Sequence, residues 1–356
     1  MVDMRIMLVT ETLFAGASTA NGGVTTTVKA VADRMIDRGH DVGFVAPGPG
    51  LACYRKSRVW RVSPLAKTGR QVREALDRTG PELVVAFDPG RIGRKALRHA
   101  RTTRTRTAVV QQSALDARTE QAWAERIAGY ADDLLATSRW LTDQLRSTGA
   151  TPRLWLPGVD TAAFSPTLRD PWLHRHWARA KTRATPLLVV GYAGRLAKPH
   201  GVRHLAALGA VPGIRTVIIG DGPQRGWLEQ RLVGARFTGP LGTGDLAVAL
   251  ASLDVLVHTG EREGCGHTLR EAAASGLPVV APRSGAAAEI VRHLETGLLY
   301  APGRERALMD AVASIAADPH RTLLGHRGRE LAEARTSAEA ADELIGTLVG
   351  DPRPVG

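Results

Sequence analysis

Two glutamates, Glu263 and Glu271, stand eight positions apart in EREGCGHTLREAAASG (261–276). Gly264 and Gly266 loosen the loop between them, and the residues that follow have helical spacing with Leu269, Ala272, Ala273 and Gly276 on the packing face. Glu271 points elsewhere. Carboxylates so placed accept hydrogen bonds from the vicinal hydroxyls of a ribose or hexose, or stabilise positive charge developing on a sugar. A lone helix glutamate is usually solvated; a pair set among glycines at a strand end points to function.

GRLAKPHG (194–201) offers complementary chemistry. Arg195 follows a glycine directly after an apolar run, so its guanidinium can meet a phosphate bidentately, and Lys198 and His200 add two further basic groups. Near the amino end, TANGGVTTTV (19–28) carries Gly22 and Gly23 into a helical pattern. Glycines allow close backbone approach there, and a helix start presents unpaired N–H groups to an anion. The competing readings are a surface salt-bridging arginine and an ordinary strand-to-helix turn.

These groups need a scaffold that brings loop ends together. Short continuous apolar runs occur at 5–10, 41–46, 82–87, 107–112 and 133–138, and again at 187–194, 216–222, 235–239, 255–260 and 277–282. Their lack of alternation predicts strands buried on both faces, as in parallel sheets covered by crossover helices. Val24, Val28, Val31, Ala32 and Met35 lie on one face of such a helix. The fold class is therefore α/β, two Rossmann-like doubly wound domains, with ligands expected at the carboxyl ends of the strands. The linker PGVDTAAFSP (157–166) puts the boundary at 1–157 and 158–335.

The 356-residue chain has 44% hydrophobic residues and no apolar run of the roughly 18 residues a membrane span requires. MVDMRIMLVTE reads as a first strand and not a signal peptide, so a cytoplasmic location is expected. Cys53 and Cys265 lie far apart with no metal-type spacing. A net charge of +12, mostly from arginine, raises the question of anionic partners, although a GC-rich genome also favours arginine. Few aromatics accompany the basic residues, which argues against nucleic acid. RIGRKALRHARTTRTR (91–106) sets Ile92, Ala96, Leu97 and Ala100 on one face and Arg91, Arg94, Lys95, Arg98 and Arg101 around the rest. That pattern fits a solvated crossover helix, and equally a peripheral contact with an anionic membrane.

The long run LPGVDTAAFSP, GYAGRLAKPHG, IIGDGPQRGWLEQRL, ARFTGPL, ASLDVLVHTGEREGCGHTLREAAASGLPVVAP and ETGLLY resembles the retaining glycosyltransferases of family 4, whose two-domain fold with an intervening cleft is called GT-B. The wording is most similar to that of GDP-mannose-dependent α-mannosyltransferases. The resemblance implies that Glu271 holds the donor ribose and that Glu263 lies beside the donor sugar. Backbone N–H groups of Gly264, Cys265, Gly266, His267 and Thr268 would meet sugar hydroxyls, while Arg195 and the loop at Gly22 and Gly23 meet the diphosphate. It further implies transfer from a nucleotide-diphosphate sugar to a lipid or small-molecule acceptor, with retention of configuration and no protein nucleophile. No metal or other cofactor is expected, and the last helical stretch (336–349) is expected to return to the amino-terminal domain. His200 stands where the family has lysine, Cys265 where it has phenylalanine, and Gln112, on the acceptor side, where it often has histidine. Those departures leave open a catalytically weakened sugar-nucleotide-binding paralogue, and the charge leaves open an anionic-membrane-surface binding protein.

Overall fold

The computed structural model describes residues 4–12, 23–179 and 186–350, so Gly22 lies outside the described residues. Two compact units divide it. The first runs to Pro157 and resumes at Ser337; the second is Gly158–Thr336.

In the first unit the order is β1 (Arg5–Thr10), α1 (Gly23–Asp37), β2 (Asp41–Pro47), β3 (Cys53–Tyr54), β4 (Ser57–Val62), α2 (Thr68–Thr79), β5 (Leu83–Phe87) and α3 (Arg91–Thr102). It continues with β6 (Arg106–Gln111), α4 (Glu120–Arg126), β7 (Asp133–Ala136), α5 (Arg139–Arg146) and β8 (Arg153–Leu154). These strands form an eight-stranded sheet ordered β3-β4-β2-β1-β5-β6-β7-β8, parallel except for the β3–β4 hairpin. The buried strands hide alternate residues in two cores: Ile6 and Leu8 face one, Met7 and Val9 the other. Full burial on both sides explains why β1 reads as an unbroken apolar run. The predicted stripe of α1 is the face that packs, with Val28, Val31, Ala32 and Met35 all buried. β4 was not anticipated: in SRVWRV its basic residues interrupt the apolar pattern.

The second unit contains α6 (Pro171–Ala178), β9 (Leu188–Ala193), β10 (Ile214–Ile219), α7 (Arg225–Arg231), β11 (Arg236–Gly239), α8 (Thr243–Ala251) and β12 (Val255–Val257). There follow α9 (His267–Ala274), β13 (Val279–Pro282), α10 (Ala287–Ile290), β14 (Gly297–Tyr300), α11 (Glu305–Ala317) and α12 (Arg321–Glu333). The six strands are all parallel, in the order β11-β10-β9-β12-β13-β14. Counted within its unit, this is the doubly wound order 3-2-1-4-5-6, with a topological switch between β9 and β12. The successive parallel strands of the first sheet switch direction in the same way between β1 and β5. At such a point the two following loops diverge and leave a crevice at the carboxyl edge, which is where ligands bind in open α/β sheets.

The final helix, α13 (Ser337–Ile345), belongs to the first unit. Ala340, Ala341, Leu344 and Ile345 are buried in the α1 core, the Trp155 indole N–H donates to the Ala340 carbonyl at 2.8 Å, and Arg34 grips Asp342 with two nitrogens. On α3 the apolar face is buried and the arginines lie around it, as a crossover helix requires. Among the described residues no helix is long and apolar enough to cross a membrane.

Candidate active site

The switch point of the second unit brings together the loops after β9 and β12. The first begins at Gly194, whose N–H donates to the Ile219 carbonyl at 2.9 Å. Leu196, fully buried, then pins the loop: its N–H donates to the Asp221 carbonyl and its own carbonyl accepts from Gln224. Gly220 runs so close beneath, at φ +133°, that a Cβ there would sit 2.0 Å from the Gly194 carbonyl oxygen. With its neighbour anchored inward, Arg195 projects outward, and so does Lys198. Neither has an acidic partner among the described residues.

The turn Lys198–His200 ends at Gly201, which adopts φ +64° and approaches the β12 loop so tightly that a Cβ would lie 2.2 Å from the Thr259 carbonyl oxygen. Thr259 Oγ1 also donates to the His200 carbonyl at 2.8 Å. Two contacts therefore bolt the basic turn to the loop that carries the glutamates. His200 is half-buried there; burial, aided by Arg195 and opposed by Glu263, lowers its imidazole below the usual value. At neutral pH it is an uncharged ring, and Arg195 and Lys198 are the cations of this loop.

Glu263 is held by its own loop. Its Oε1 accepts the N–H groups of Cys265 at 3.1 Å and Gly266 at 2.9 Å, and its carbonyl accepts from Ala286 at 2.7 Å. Burial opposes its ionisation, but His258 and those two amides outweigh it, so the carboxyl titrates below its ordinary value and is anionic at neutral pH. Two of the amides expected to meet sugar hydroxyls are thus engaged by Glu263. Gly264 is buried within the same turn, and His267 and Thr268 begin α9, whose first N–H groups have no carbonyl partner within the helix. Cys265 is buried with Sγ 3.0 Å from His267 Nε2, and burial pushes that imidazole down to about 4. This contact between thiol and imidazole closes the loop from the inside.

Glu271 behaves differently from a solvated helix glutamate. It lies on the buried face of α9 with Leu269, Ala272 and Ala274, 8% exposed. No described hydrogen bond or neighbouring charge offsets burial, which raises its carboxyl to about 7. A buried carboxylate without donors is costly, so this position calls for hydrogen-bond donors beyond those the described residues supply.

In the first unit, Gly23 opens α1. Gln112, just beyond β6, is buried and accepts from Thr27 Oγ1 at 2.8 Å through Oε1, while its N–H donates to Asp88 Oδ1 at 2.6 Å. Three residues at the strand ends escaped sequence reasoning. Glu11, just after β1, caps α3 by accepting the N–H groups of Gly90, Ile92 and Gly93 through one oxygen. Asp88, at φ 43°, fixes the turn after β6 through Gln112 and Ser113. His258, at the end of β12, approaches Glu263 Oε2 at 3.6 Å through Nε2. The signal for His258 was a polar residue ending an apolar strand beside the glutamate loop; the other two act across long sequence separations.

Two doubly wound units, with a basic switch-point loop and paired glutamates, match the GT-B fold of glycosyltransferases. Comparison bears on the class directly. Residues 21–163 match the model described as Glycosyltransferase Family 4, and residues 187–318 match Glycosyl transferases group 1. The chain is 34% identical to the GDP-mannose-dependent alpha-mannosyltransferase of Mycolicibacterium smegmatis, covering 96% of each chain. To the protein of the same description from Mycobacterium tuberculosis it is 32% identical, covering 97% of this chain and 96% of that one. The sucrose-phosphate synthase structure from Thermosynechococcus elongatus shares the fold with a TM-score of 0.81 at 20% identity, covering 97% of this chain and 98% of that one. The Anabaena HepE structure, in complex with UDP and glucose, gives 0.80 at 19%, covering 98% and 100%. The chain belongs to glycosyltransferase family 4.

Proposed function

We propose that the protein transfers mannose from GDP-mannose to a hydroxyl of a lipid or small-molecule acceptor, with retention at the anomeric carbon. The observation that carries this reading is the constellation at the β9–β12 switch point: exposed Arg195 and Lys198 without an acidic partner among the described residues, on the loop next to anionic Glu263 and to buried Glu271, which has no described donor. A nucleotide-diphosphate sugar supplies what each of these groups lacks. Its diphosphate meets Arg195, Lys198 and the first amides of α9 in place of a metal ion, and its ribose hydroxyls donate to Glu271. The sugar hydroxyls donate to Glu263 and accept from the N–H groups around Thr268. The choice of guanine and mannose rests on the printed names of the full-length mycobacterial relatives.

In the reaction, the bond from the anomeric carbon to the diphosphate oxygen breaks while a bond to the acceptor oxygen forms on the same face. The acceptor proton passes to the departing phosphate oxygen. Arg195 stabilises the charge that accumulates there, so the step requires no protein nucleophile. Gln112, held by Thr27, belongs to the acceptor side. The test is incubation of GDP-mannose with candidate polyol, glycolipid and glycoside acceptors, following GDP release and assigning the product linkage by NMR. An α-linked mannoside supports the reading; a β-linked product overturns retention, and tight donor binding without turnover favours the weakened paralogue.

The acceptor class bears on where the enzyme works. Arg94, Lys95 and Arg98 of α3 and Arg126 of α4 line a pocket of about 240 Å³ with Tyr130, and none of the four cations has an acidic partner among the described residues. This supports a cytoplasmic enzyme that touches an anionic membrane peripherally, where a lipid acceptor resides. Sedimentation with anionic vesicles should show salt-sensitive binding that neutral vesicles lack; equal binding to both would remove the membrane from the account.

A further inference from the structure

The donor-site reading gives no task to His258, although the structure places it with care. Its backbone N–H donates to the Val280 carbonyl at 2.8 Å and its carbonyl accepts from Tyr300 Oη at 3.2 Å, so its backbone is fixed from two strands. The side chain is 8% exposed and packs over Gly260, where a Cβ would lie 2.8 Å from Nε2. Nε2 is buried and makes no hydrogen bond, yet it faces Glu263 Oε2 at 3.6 Å. The other oxygen of that carboxylate is already held by the amides of Cys265 and Gly266. One side of Glu263 is therefore locked and the other is aimed at a donor roughly half an ångström beyond hydrogen-bonding range. A buried ring nitrogen with no hydrogen-bond partner among the described residues is a standing penalty unless some state of the protein satisfies it.

We propose that His258 is a positioning residue for sugar transfer: as the donor sugar enters, its Nε2–H closes onto Oε2 of Glu263 and fixes the carboxylate against the sugar hydroxyls. This rests on the donor-site reading given above. Burial, aided by the nearby His200, favours the neutral ring despite Glu263, and with its one hydrogen on Nε2 that ring donates to Oε2. The groups that act on it are Glu263 on its own loop, His200 on the β9 loop and the backbone of Gly260. Contacts of this kind are commonly long in the free enzyme and tighten in the complex with substrate.

The experiment is a double-mutant cycle on the full chain, with GDP-mannose turnover as readout. His258→Phe should lower kcat about tenfold, the worth of a hydrogen bond to a charged group, and leave the donor KM within about twofold. His258→Gln, whose amide also carries an N–H at the tip, should restore most of the loss. In the Glu263→Gln background the His258→Phe step should have almost no further effect, because the residue acts through that carboxylate. Independent, multiplicative effects of the two substitutions would overturn the proposal, as would full turnover in His258→Phe. Should the phenylalanine variant fail to fold, His258→Asn, whose amide is too short to reach Oε2, takes its place with the same expected loss. Failure of the underlying reading looks different: Glu263→Gln itself would then retain full turnover and donor affinity.

Discussion

Glu271→Gln separates the two roles the structure gives this carboxylate, a burden on the fold and a seat for the donor. Burial raises the folded-state value to about 7 from an ordinary 4.5. Between those limits the native protein holds a proton that the unfolded chain has released, so stability falls as pH rises through the window and levels off above it. At about 1.36 kcal/mol for each tenfold step, the burden at pH 8 is about 3 kcal/mol, against about 1 kcal/mol at pH 5. Glutamine carries no charge, and any packing change it introduces is the same at both pH values. The variant should therefore gain about 2 kcal/mol relative to the parent on going from pH 5 to pH 8. Urea unfolding of both proteins at the two pH values measures this, because every other titrating group cancels in the comparison. The same variant should lose donor affinity, since a carboxamide accepts at only one atom where the carboxylate accepts at two. A stability difference that is identical at pH 5 and pH 8 would refute the buried-carboxylate reasoning.

Arg195→Ala should reduce turnover by about a hundredfold or more while leaving the melting temperature almost unchanged, since the side chain is exposed and has no acidic partner among the described residues; a steady-state assay with a thermal melt checks both. Lys198→Ala should weaken donor binding about tenfold at pH 7.5, a loss typical of a charge-assisted contact, whereas His200→Ala should weaken it little because burial has already discharged that ring. By the same argument wild-type donor affinity should not decline between about pH 7 and pH 8, where ionisation of Glu271 strengthens the seat for the ribose; a steady decline across that range, measured by calorimetry, would restore His200 as the second cation. Gly201→Ala should lower the melting temperature by several degrees, since a methyl group would meet the Thr259 carbonyl and the backbone is left-handed there.

The strands that the sequence revealed are those buried on both faces, because only full burial writes a continuous apolar run. β4, with Arg58 and Arg61 in its midst, carries no such run, and GLLY of β14, though apolar, is too short to stand out as a strand. The order of the strands was out of reach for another reason: local composition does not say which strands are neighbours, yet that order places Arg195 beside Glu263. Both glutamates were visible by spacing, but their environments were not. Glu271 reads as an outward-facing helix residue and is buried, and Glu263 is anionic because of two amides that periodicity cannot orient. His200 illustrates the same limit, since its residue type suggests a partial charge that burial removes. Glu11 acts on partners brought near only by folding, and nothing in its immediate sequence marks it.

The most direct test of the account is calorimetric titration of the intact chain with GDP-mannose, GDP-glucose, UDP-glucose and ADP-glucose, run in parallel on Arg195→Ala and Glu271→Gln. The account predicts saturable binding of GDP-mannose at one site, markedly weaker binding of the UDP and ADP sugars, and loss of affinity in both variants. Equal affinity of the variants and the parent for GDP-mannose, or no binding of any nucleotide sugar, would contradict it.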